Sequence, residues 1–407
     1  MSVVVMKFGG SSLSNLYKMR QVADKIIKKK KDGNKIIVVV SALGDTTDDL
    51  INLINKITYD PIPREFDTLL STGEIVSASL LSTMINSIGE KAISLTGYQA
   101  GIKTNNDFMY AKIKEIDSTR IKECLLNNMI VIVTGFQGVS FDNNVTTLGR
   151  GGSDLTAVVL AAALKSDFCE IYSDVEGVYT VDPNIVKNAK KINIISYDEM
   201  IEMASSGAQV LQTRSVLVAK KFNVKIYAKC SFNNKEGTII CDISKNKEVG
   251  MESSLITGIA FDKDQVKISI IGLLNIESCV TNLFDNFIND GIYIDMLTYS
   301  SINTDINNTI SFTIDKQYFV KAKSIINNML CNKNVKDIFY NDDVSKISII
   351  GIGIKSDYSI VSKILKTFSD NKVNILMIYI SEIKISIVVD KKNATKSINE
   401  LHYMFKL

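Results

Sequence analysis

Residues 3–12 have the sequence VVVMKFGGSS, and they decide how the first part of the chain folds. The β-branched run predicts a buried strand, Gly9 and Gly10 predict a tight turn, and the two serines suit the start of a helix whose apolar stripe begins at Leu16. Such a corner offers backbone N–H groups and the positive end of a helix to an anion, and Lys7 adds a full positive charge. The sequence therefore predicts a phosphate-binding turn. The alternative is a plain strand–turn–helix corner with a solvated lysine.

The composition is that of an ordinary globular protein with two or three domains: 407 residues, 46% hydrophobic and 22% charged, with a net charge of +3. A net charge this small argues against a nucleic-acid or membrane-surface protein.

The single histidine, His402, makes histidine-based catalysis and histidine metal clusters unexpected. The six cysteines include no Cys-x-x-Cys, and we see no signal peptide or uncharged run of membrane length. We expect a reduced, cytoplasmic protein.

The first part of the chain alternates predicted strands with predicted helices. After the opening strand, the strands are predicted at Ile36–Val40, Ala92–Leu95, Met129–Phe136 and Phe168–Ser173. The helices are predicted at Thr47–Ile57, Ile75–Ile88, Asp117–Asn127 and Leu155–Leu164. This alternation predicts an α/β fold with a mostly parallel sheet and helices on both faces. Ligands of such sheets bind at the carboxyl ends of the strands.

A repeat follows a polar linker predicted at Ser244–Ser254. The sequence Lys-Ile-Ser-Ile-Ile-Gly occurs at Lys267–Gly272 and again at Lys346–Gly351. Each copy is followed by a similar pattern of helix, strand, strand and helix. We interpret the two copies as small, duplicated βαββαβ units.

Polar or glycine-rich corners recur where the predicted strands end. They are Lys7–Ser12, Ser41–Asp48, Leu70–Glu74, Leu148–Asp154 and Ser173–Pro183. Each corner alone could be only a turn or a helix cap, but corners at the same edge of one sheet predict a shared ligand site. The Lys7–Ser12 corner is not a P-loop, because no Gly follows four residues after Gly10 and no Gly-Lys-Ser or Gly-Lys-Thr closes the turn.

These corners, read together, resemble the aspartokinase family of amino-acid kinases that carry a C-terminal pair of ACT domains. KFGGSS matches the family's KFGGTS, and LSTGE, GRGGSD and SDVEGVYTVDP match its other blocks. SEIKIS at Ser381–Ser386 matches a block of the second ACT domain. The resemblance covers essentially the whole chain. It implies a three-layer amino-acid-kinase fold over residues 1–243 and ferredoxin-like ACT domains of α+β class over 255–332 and 343–407.

The resemblance implies transfer of a phosphoryl group from ATP to L-aspartate, giving 4-phospho-L-aspartate. This is the first step of the pathway to lysine, threonine and methionine. The acceptor carboxylate is already ionised at neutral pH, so no general base is needed. Because two anions must meet, catalysis should come from positioning and cations. Mg²⁺ should arrive with ATP, held by phosphates and water, with no metal site on the protein itself.

The matched motifs assign roles to individual residues. Lys7 should neutralise the transferring phosphoryl group, and Asp154 should orient Lys7, which makes these two the catalytic pair. Arg150 can clamp the substrate carboxylate with parallel hydrogen bonds, and Glu74 can bind its ammonium group. The other expected substrate-binding residues are Ser41, Thr47 and Ser153. The expected ATP-binding residues are Lys7, Gly9, Gly10, Ser11, Ser173, Asp174, Tyr179, Asp182 and Lys225.

The ACT pair implies feedback control by lysine, threonine or both, across a homodimer that can pair further into a dimer of dimers. The candidate effector-binding residues are Asp295, Met296, Asn374, Ile375, Ser381 and Glu382. Ordinary strand-end packing is the alternative for all of them. For the whole chain, the alternatives are a non-catalytic amino-acid sensor or a kinase for a different amino acid. We do not expect a bifunctional enzyme, because the chain has no room for a second catalytic domain.

Overall fold

The computed structural model describes residues 2–208, 210–243, 255–272, 276–300, 308–331, 335–354 and 357–407. The predicted linker at 244–254 lies entirely outside them. The chain forms two compact units. Unit 1 comprises Met1–Tyr179 and Lys190–Ser253, and unit 2 comprises Thr180–Ala189 and Ser254–Leu407.

Unit 1 alternates strands and helices as the sequence predicts. Its strands are β1 Val3–Phe8, β2 Lys35–Val40, β3 Ala92–Leu95, β4 Ile102–Thr104, β5 Ile113–Ile116, β6 Ile130–Thr134, β7 Gln137–Ser140, β8 Val145–Thr147, β9 Phe168–Ser173, β10 Ile194–Ser196, β11 Ile226–Cys230 and β12 Thr238–Cys241. Its helices are α1 Gly10–Leu13, α2 Leu16–Lys31, α3 Thr46–Asn55, α4 Pro63–Leu70, α5 Thr72–Ser87, α6 Thr119–Leu126, α7 Gly152–Ala163, α8 Tyr197–Ser205 and α9 Thr213–Phe222.

The main sheet of unit 1 has eight strands in the order β10-β12-β11-β9-β1-β2-β6-β3. Neighbouring strands pair in parallel, except that β11 and β12 are antiparallel. The predicted mostly parallel α/β sheet is confirmed. One face of the sheet packs Met6 and Val38 against α2 and α5 in a closed apolar core. Strand β1 lies at the centre, so the corner after Phe8 opens at the middle of the carboxyl edge.

A second sheet of unit 1 was not predicted. It has four short strands in the order β5-β4-β7-β8. Strands β4, β7 and β8 have three or four residues each, too few for a clear alternation of apolar and polar side chains. This small sheet matters for the site, because the loop that follows β8 carries Arg150.

Residues Pro63–Ser87, which comprise α4 and α5, are long and apolar enough to cross a membrane by length and composition alone. Half of their most apolar window is buried inside the protein. The run also carries the buried acidic residues Asp67 and Glu74. It therefore has the character of core helices of unit 1.

Unit 2 is built on one six-stranded antiparallel sheet of order β14-β15-β13-β16-β18-β17. Its strands are β13 Gly258–Ile271, β14 Ile294–Ser300, β15 Thr309–Asp315, β16 Asp337–Ile350, β17 Ile375–Ile380 and β18 Lys384–Asp390. Its helices are α10 Ile276–Asn289, α11 Phe319–Cys331, α12 Tyr358–Asp370 and α13 Lys391–Phe405, with a 3₁₀ turn at Lys316–Tyr318. The predicted alternation of strands and helices in the two repeats is present.

The two long strands β13 and β16 serve both repeats, which sequence spacing did not indicate. The amino-terminal half of β13 contributes Ile259 to an apolar core that also contains Ile347 and Ile385. The carboxyl-terminal half contributes Ile268 to another core, together with Phe312. The cores therefore do not follow the contiguous ranges 255–332 and 343–407, since residues near 259 pack with the later repeat.

Unit 2 also includes Thr180–Ala189, a segment that sequence order would assign to unit 1. Val181 and Val186 are buried in the same core as Ile259. The Ile259 N–H donates to the carbonyl of Thr180 at 2.7 Å. The chain thus leaves unit 1 after Tyr179 and returns to it at Lys190.

Candidate active site

The corner after β1 is built by close backbone packing. Gly9 donates its N–H to the carbonyl of Tyr172 at 3.1 Å, which places the corner beside the end of β9. A Cβ on Gly10 would lie 2.7 Å from the carbonyl oxygen of Ala42 and 3.0 Å from that of Gly44. The corner therefore needs glycine where it meets the loop that follows β2.

The helix prediction at this corner is wrong in one respect. The helix that begins at the glycines, α1, ends after one turn at Leu13, and the long helix α2 begins separately at Leu16 behind an Asn15 cap. A one-turn helix has a weak macrodipole, so helix-end attraction for an anion is smaller than predicted. Positive charge at the corner comes from Lys7 and from Lys18 of α2, whose Nζ donates to the carbonyl of Ser11 at 3.1 Å.

Lys7 lies at the carboxyl end of β1 and pairs with Asp154. Its Nζ is 2.6 Å from Oδ1 of Asp154, and the two side chains are 12% and 9% exposed. Asp154 lies in the first turn of α7, whose Gly151 cap has a φ of 73°. No other described residue donates a hydrogen bond to this oxygen, so Lys7 is the group that offsets its charge.

Glu74 lies in the first turn of α5 and is buried. One carboxyl oxygen accepts the N–H of Ala42 at 3.1 Å, and the other has no hydrogen-bond partner among the described residues. Burial raises the pKa of Glu74 to about 8, against the smaller opposing effect of the Ala42 hydrogen bond. An unpartnered buried carboxyl oxygen is suited to receive a cationic group.

These groups line one cavity of about 490 Å³ in unit 1. Ser41, Thr47, Arg150 and Ser153 also line it, and so does Gly10. Arg150 is exposed and lies between Gly149 and Gly151, which have φ angles of 77° and 73°. The structure therefore brings together all five expected substrate-binding residues, both members of the expected catalytic pair, and Gly10.

The chain matches the amino acid kinase family model over residues 2–229 and an ACT domain model over residues 347–405. It is 42% identical to an aspartokinase of Geobacillus stearothermophilus over 408 residues, covering 100% of this chain and 98% of that protein. An aspartokinase of Helicobacter pylori is 40% identical over 405 residues, covering 100% and 99%. The chain belongs to the aspartokinase family.

Solved structures agree with this assignment to the aspartokinases. An aspartate kinase of Clostridium acetobutylicum superposes with a TM-score of 0.75 at 26% identity, covering 99% of this chain and 100% of that one. Aspartokinase III of E. coli, solved in complex with aspartate and ADP, superposes with a TM-score of 0.82 at 22% identity, covering 98% and 99%. The second likeness is evidence of the fold. Both the predicted family and the predicted fold class are confirmed.

The structure brings together some of the residues that were expected to bind ATP. Ser173 ends β9 directly beside Gly9. Ser231 donates its N–H to the carbonyl of Ser173 at 2.8 Å, and its hydroxyl lies 2.6 Å from that of Ser12. Ser231 was not predicted, because only the strand order shows that β11 ends next to β9.

The other expected nucleotide residues lie in varied settings. Ser11 in α1 and Asp174 directly after β9 are both exposed. The pKa of Tyr179 is raised by burial and by the neighbouring Glu176 carboxylate. Asp182 belongs to unit 2, where its carboxylate accepts the N–H of Asn184 at 2.8 Å in a local turn.

Lys225 is not brought to the site. It precedes β11, whose Ile226 lies opposite Cys169 near the start of the parallel strand β9. Its carbonyl accepts the Cys169 N–H at 2.9 Å. Lys225 is therefore at the amino edge of the sheet, opposite the edge that carries Lys7, and we do not retain it as a nucleotide ligand.

Several cavity-lining residues were not anticipated from the sequence. They are Phe66, Met109, Tyr110, Phe136, Thr147 and Gln212. Met109 and Thr147 belong to the small sheet region, and that sheet has no periodicity strong enough to predict. Gln212 abuts the Arg150 loop, since a Cβ on Gly151 would lie 1.8 Å from Cγ of Gln212.

Of the six expected effector residues, Asp295, Met296 and Ile375 lie on the edge strands β14 and β17 of unit 2, and the other three directly precede or follow β17. Asp295 is ion-paired with the buried Lys346. Met296 shares a small apolar cluster with Met377, and Ile375 packs against the core of the later repeat. Asn374 is exposed. Ser381 and the exposed Glu382 lie in the turn after β17, where Ser381 donates its N–H to the carbonyl of Lys384 at 2.8 Å.

The two edge strands approach each other on the sheet face where Met296 and Met377 meet. Lys267 of β13 donates a hydrogen bond to the carbonyl of Leu376 in β17 at 3.1 Å. The structure thus brings the first residues of β14 and β17 close together, while Ser381 lies at the other end of β17. Asp295 and Met296 therefore share a region with Ile375 and not with Ser381.

Proposed function

We propose that this aspartokinase transfers the γ-phosphoryl group of ATP to the side-chain carboxylate of L-aspartate in the cavity of unit 1. The observation that carries the proposal is the convergence of the Lys7–Asp154 pair, the unpartnered oxygen of Glu74, and Arg150 on that one cavity. A cation for the phosphoryl group, an anion for an ammonium group and a guanidinium for a carboxylate together match aspartate and a polyphosphate.

The acceptor is held by charge complementarity. Its ammonium group binds the free oxygen of Glu74, and aspartate binding in this position draws Glu74 into its ionised form. Arg150 binds the α-carboxylate through two parallel hydrogen bonds, a geometry that a lysine could not offer. Ser41, Thr47 and Ser153 supply hydroxyl groups to the same ligand. The side-chain carboxylate is then free to face the Lys7 end of the cavity.

The transfer itself needs no protein base. An oxygen of the aspartate carboxylate forms a bond to the γ-phosphorus while the bond between that phosphorus and the bridging oxygen breaks, and the electron pair leaves with ADP. Lys7, held in place by Asp154, lies where negative charge accumulates on the transferring oxygens. Gly9 and Gly10 allow the phosphates to approach the backbone closely.

ATP enters as its magnesium complex, so Mg²⁺ is part of the substrate. Among the described residues, no cluster of three or more acidic, histidine or cysteine side chains could hold a metal ion. We propose that Ser11, Ser173, Asp174 and Tyr179 of unit 1 bind the nucleotide. We also propose a cytoplasmic homodimer, able to pair into tetramers, that lysine, threonine or both inhibit through unit 2.

The test is an aspartate-dependent kinase assay that follows ADP release and traps the acyl phosphate with hydroxylamine. We expect hydroxamate formation with aspartate and none with glutamate, and inhibition by lysine, by threonine, or only by both together. ADP release without hydroxamate, or equal rates with glutamate, would contradict the proposed reaction. Activity that ignores both effectors would contradict only the proposed regulation.

A further inference from the structure

Asp67 of α4 is fully buried, yet no lysine or arginine pairs with it among the described residues. Its carboxylate instead accepts hydrogen bonds from two segments of unit 1. The Met109 N–H donates at 2.9 Å, and Thr147 donates both its N–H at 2.7 Å and its hydroxyl at 2.6 Å. Met109 has a φ of 69°, an uncommon backbone conformation that this bond helps to hold.

Arg214 of α9 binds the same two segments through their carbonyl groups. Its guanidinium donates to the carbonyl of Leu148 at 2.8 Å and to that of Ala111 at 2.7 Å. The segments are also joined directly, because Ala111 donates its N–H to the carbonyl of Thr147 at 2.9 Å. The Asp67 carboxylate of α4 thus accepts hydrogen bonds from N–H groups of the two segments, and the Arg214 guanidinium of α9 donates hydrogen bonds to their carbonyl groups.

The segments held in this way form one wall of the active-site cavity. Met109, Tyr110 and Thr147 line it, and the second segment runs directly into Gly149 and Arg150. A Cβ on Gly149 would lie 2.8 Å from the ring of Tyr110, so the Arg150 loop rests on the first segment. Arg150 itself is exposed, and its position is therefore set by the backbone on either side of it.

We propose that Asp67 and Arg214 are positioning residues that fix the Arg150 loop and so determine affinity and selectivity for the amino-acid acceptor. The inference rests on the proposed role of Arg150 as the carboxylate clamp. Neither side chain lines the cavity, so their effect is exerted through the backbone of residues 109–111 and 147–149. Glutamate is longer than aspartate by one methylene group, so one of its carboxylates is displaced when the rest of the molecule is bound in the same way. An Arg150 guanidinium held in a fixed position binds the displaced carboxylate less well, which favours aspartate.

The test compares Asp67→Asn, Arg214→Met and Arg214→Lys in the full-length chain. We expect the two neutral variants to raise KM for aspartate about tenfold with kcat within about threefold, because the Arg150 contact is made in the ground state as well as in the transition state. KM for MgATP should stay within about twofold. Arg214→Lys retains one hydrogen bond and should recover part of the loss, and the preference for aspartate over glutamate should fall in the neutral variants.

Matched controls lie on the same two helices. Glu65→Gln on α4 and Lys220→Met on α9 remove exposed charges and should leave both KM values unchanged. If Asp67→Asn fails to fold, Thr147→Val removes one of the hydrogen bonds to Asp67 while keeping the backbone N–H, and it should raise KM for aspartate in the same direction. Equal increases in KM for aspartate and MgATP, or no increase, would overturn the positioning role.

Arg150→Met separates this inference from the proposed function. If it raises KM for aspartate while the Asp67 and Arg214 variants do not, the clamp role of Arg150 stands and the positioning role fails. If Arg150→Met leaves KM for aspartate unchanged, the proposed role of Arg150 fails, and the positioning role fails with it.

Discussion

At the scale of single residues, the site depends on a few buried charges whose partners are incomplete. Asp154 has one cation to offset it, and Glu74 has a single hydrogen bond from the described backbone. Buried ionisable groups with so few partners are costly for folding, so their presence in one cavity favours a role in binding.

Replacement of Lys7 by alanine should lower kcat about a thousandfold, because a preorganised cation next to the transferring oxygens is lost. The substitution also leaves Asp154 unpaired in a buried position, which could itself disturb the site. The double variant Lys7→Ala with Asp154→Asn removes both charges and serves as the control. Circular dichroism should show a native fold for the double variant, and its kcat should remain low. Recovery of activity in the double variant would contradict a catalytic role for Lys7.

Glu74 should make aspartate binding depend on pH. Its pKa is about 8 in the free protein, while an ammonium ligand requires the ionised form. KM for aspartate should therefore fall by up to about tenfold per pH unit as pH rises toward that pKa. Steady-state kinetics between about pH 6.5 and 8 would measure this. Glu74→Gln should raise KM and abolish the slope, and an unchanged slope in that variant would assign the titration to another group.

The same raised pKa affects folding with a definite sign. Between the ordinary pKa of 4.5 and the folded value of about 8, native Glu74 keeps a proton that the unfolded chain has released. The stability of the ligand-free protein should therefore fall as pH rises through this window, by about 1.4 kcal/mol per pH unit from this group. Denaturant titrations at several pH values would measure the free energy of unfolding of the native protein and of Glu74→Gln. The free energy of the variant should change less with pH.

At the scale of elements, the two adjacent glycines between β1 and α1 have different roles. Gly10 is needed for backbone packing, whereas Gly9 is expected to matter for nucleotide binding. Gly10→Ala would press a methyl group against backbone carbonyls of the loop after β2, and we expect a loss of about 1–3 kcal/mol in stability. A methyl on Gly9 meets only ordinary contacts, the nearest being Nζ of Lys7 at 3.6 Å. Gly9→Ala should keep the melting temperature and raise KM for MgATP. Equal melting temperatures for the two variants would contradict this packing.

Which elements could be predicted depends on how they are stabilised. Strand β9 was predicted with its exact bounds, and β2 and α5 nearly so, because their apolar patterns are long and regular. The four-stranded sheet is held by short pairings and by Asp67, none of which leaves a periodic signal. Accordingly, motif residues such as Lys7 were found in advance, while the wall containing Met109 and Thr147 was not.

Lys346 of strand β16 forms an ion pair with Asp295 in which the two side chains differ in exposure to solvent. Lys346 is 1% exposed and its partner Asp295 is 30% exposed. Asp295→Ala strands a buried ammonium with Asp262 as its remaining nearby carboxylate, which should cost about 3 kcal/mol. Lys346→Met leaves a carboxylate that water can reach, at a cost of about 1 kcal/mol. Chemical denaturation of both variants would measure the difference, and equal losses would contradict the asymmetry.

At the scale of the whole molecule, the two units differ in how far the sequence alone defines them. The repeats of unit 2 are recognisable from KISIIG, yet β13 and β16 each contribute to both cores. Long strands shared in this way make the six-stranded sheet one cooperative element. Sequence spacing identified the repeats but could not show this sharing, because it depends on the pairing of Ile271 with Asp337 and of Gly258 with Ile350.

The excursion of Thr180–Ala189 into unit 2 has a consequence for protein engineering and for gene recombination. A chimera that joins the catalytic part of this enzyme to the regulatory part of a relative at residue 243 would combine Val181 and Val186 with an apolar core they did not evolve in. Successful exchanges should carry this segment with the regulatory half, so they require three junctions instead of one. Natural recombination between relatives meets the same restriction, which favours inheritance of the two halves together.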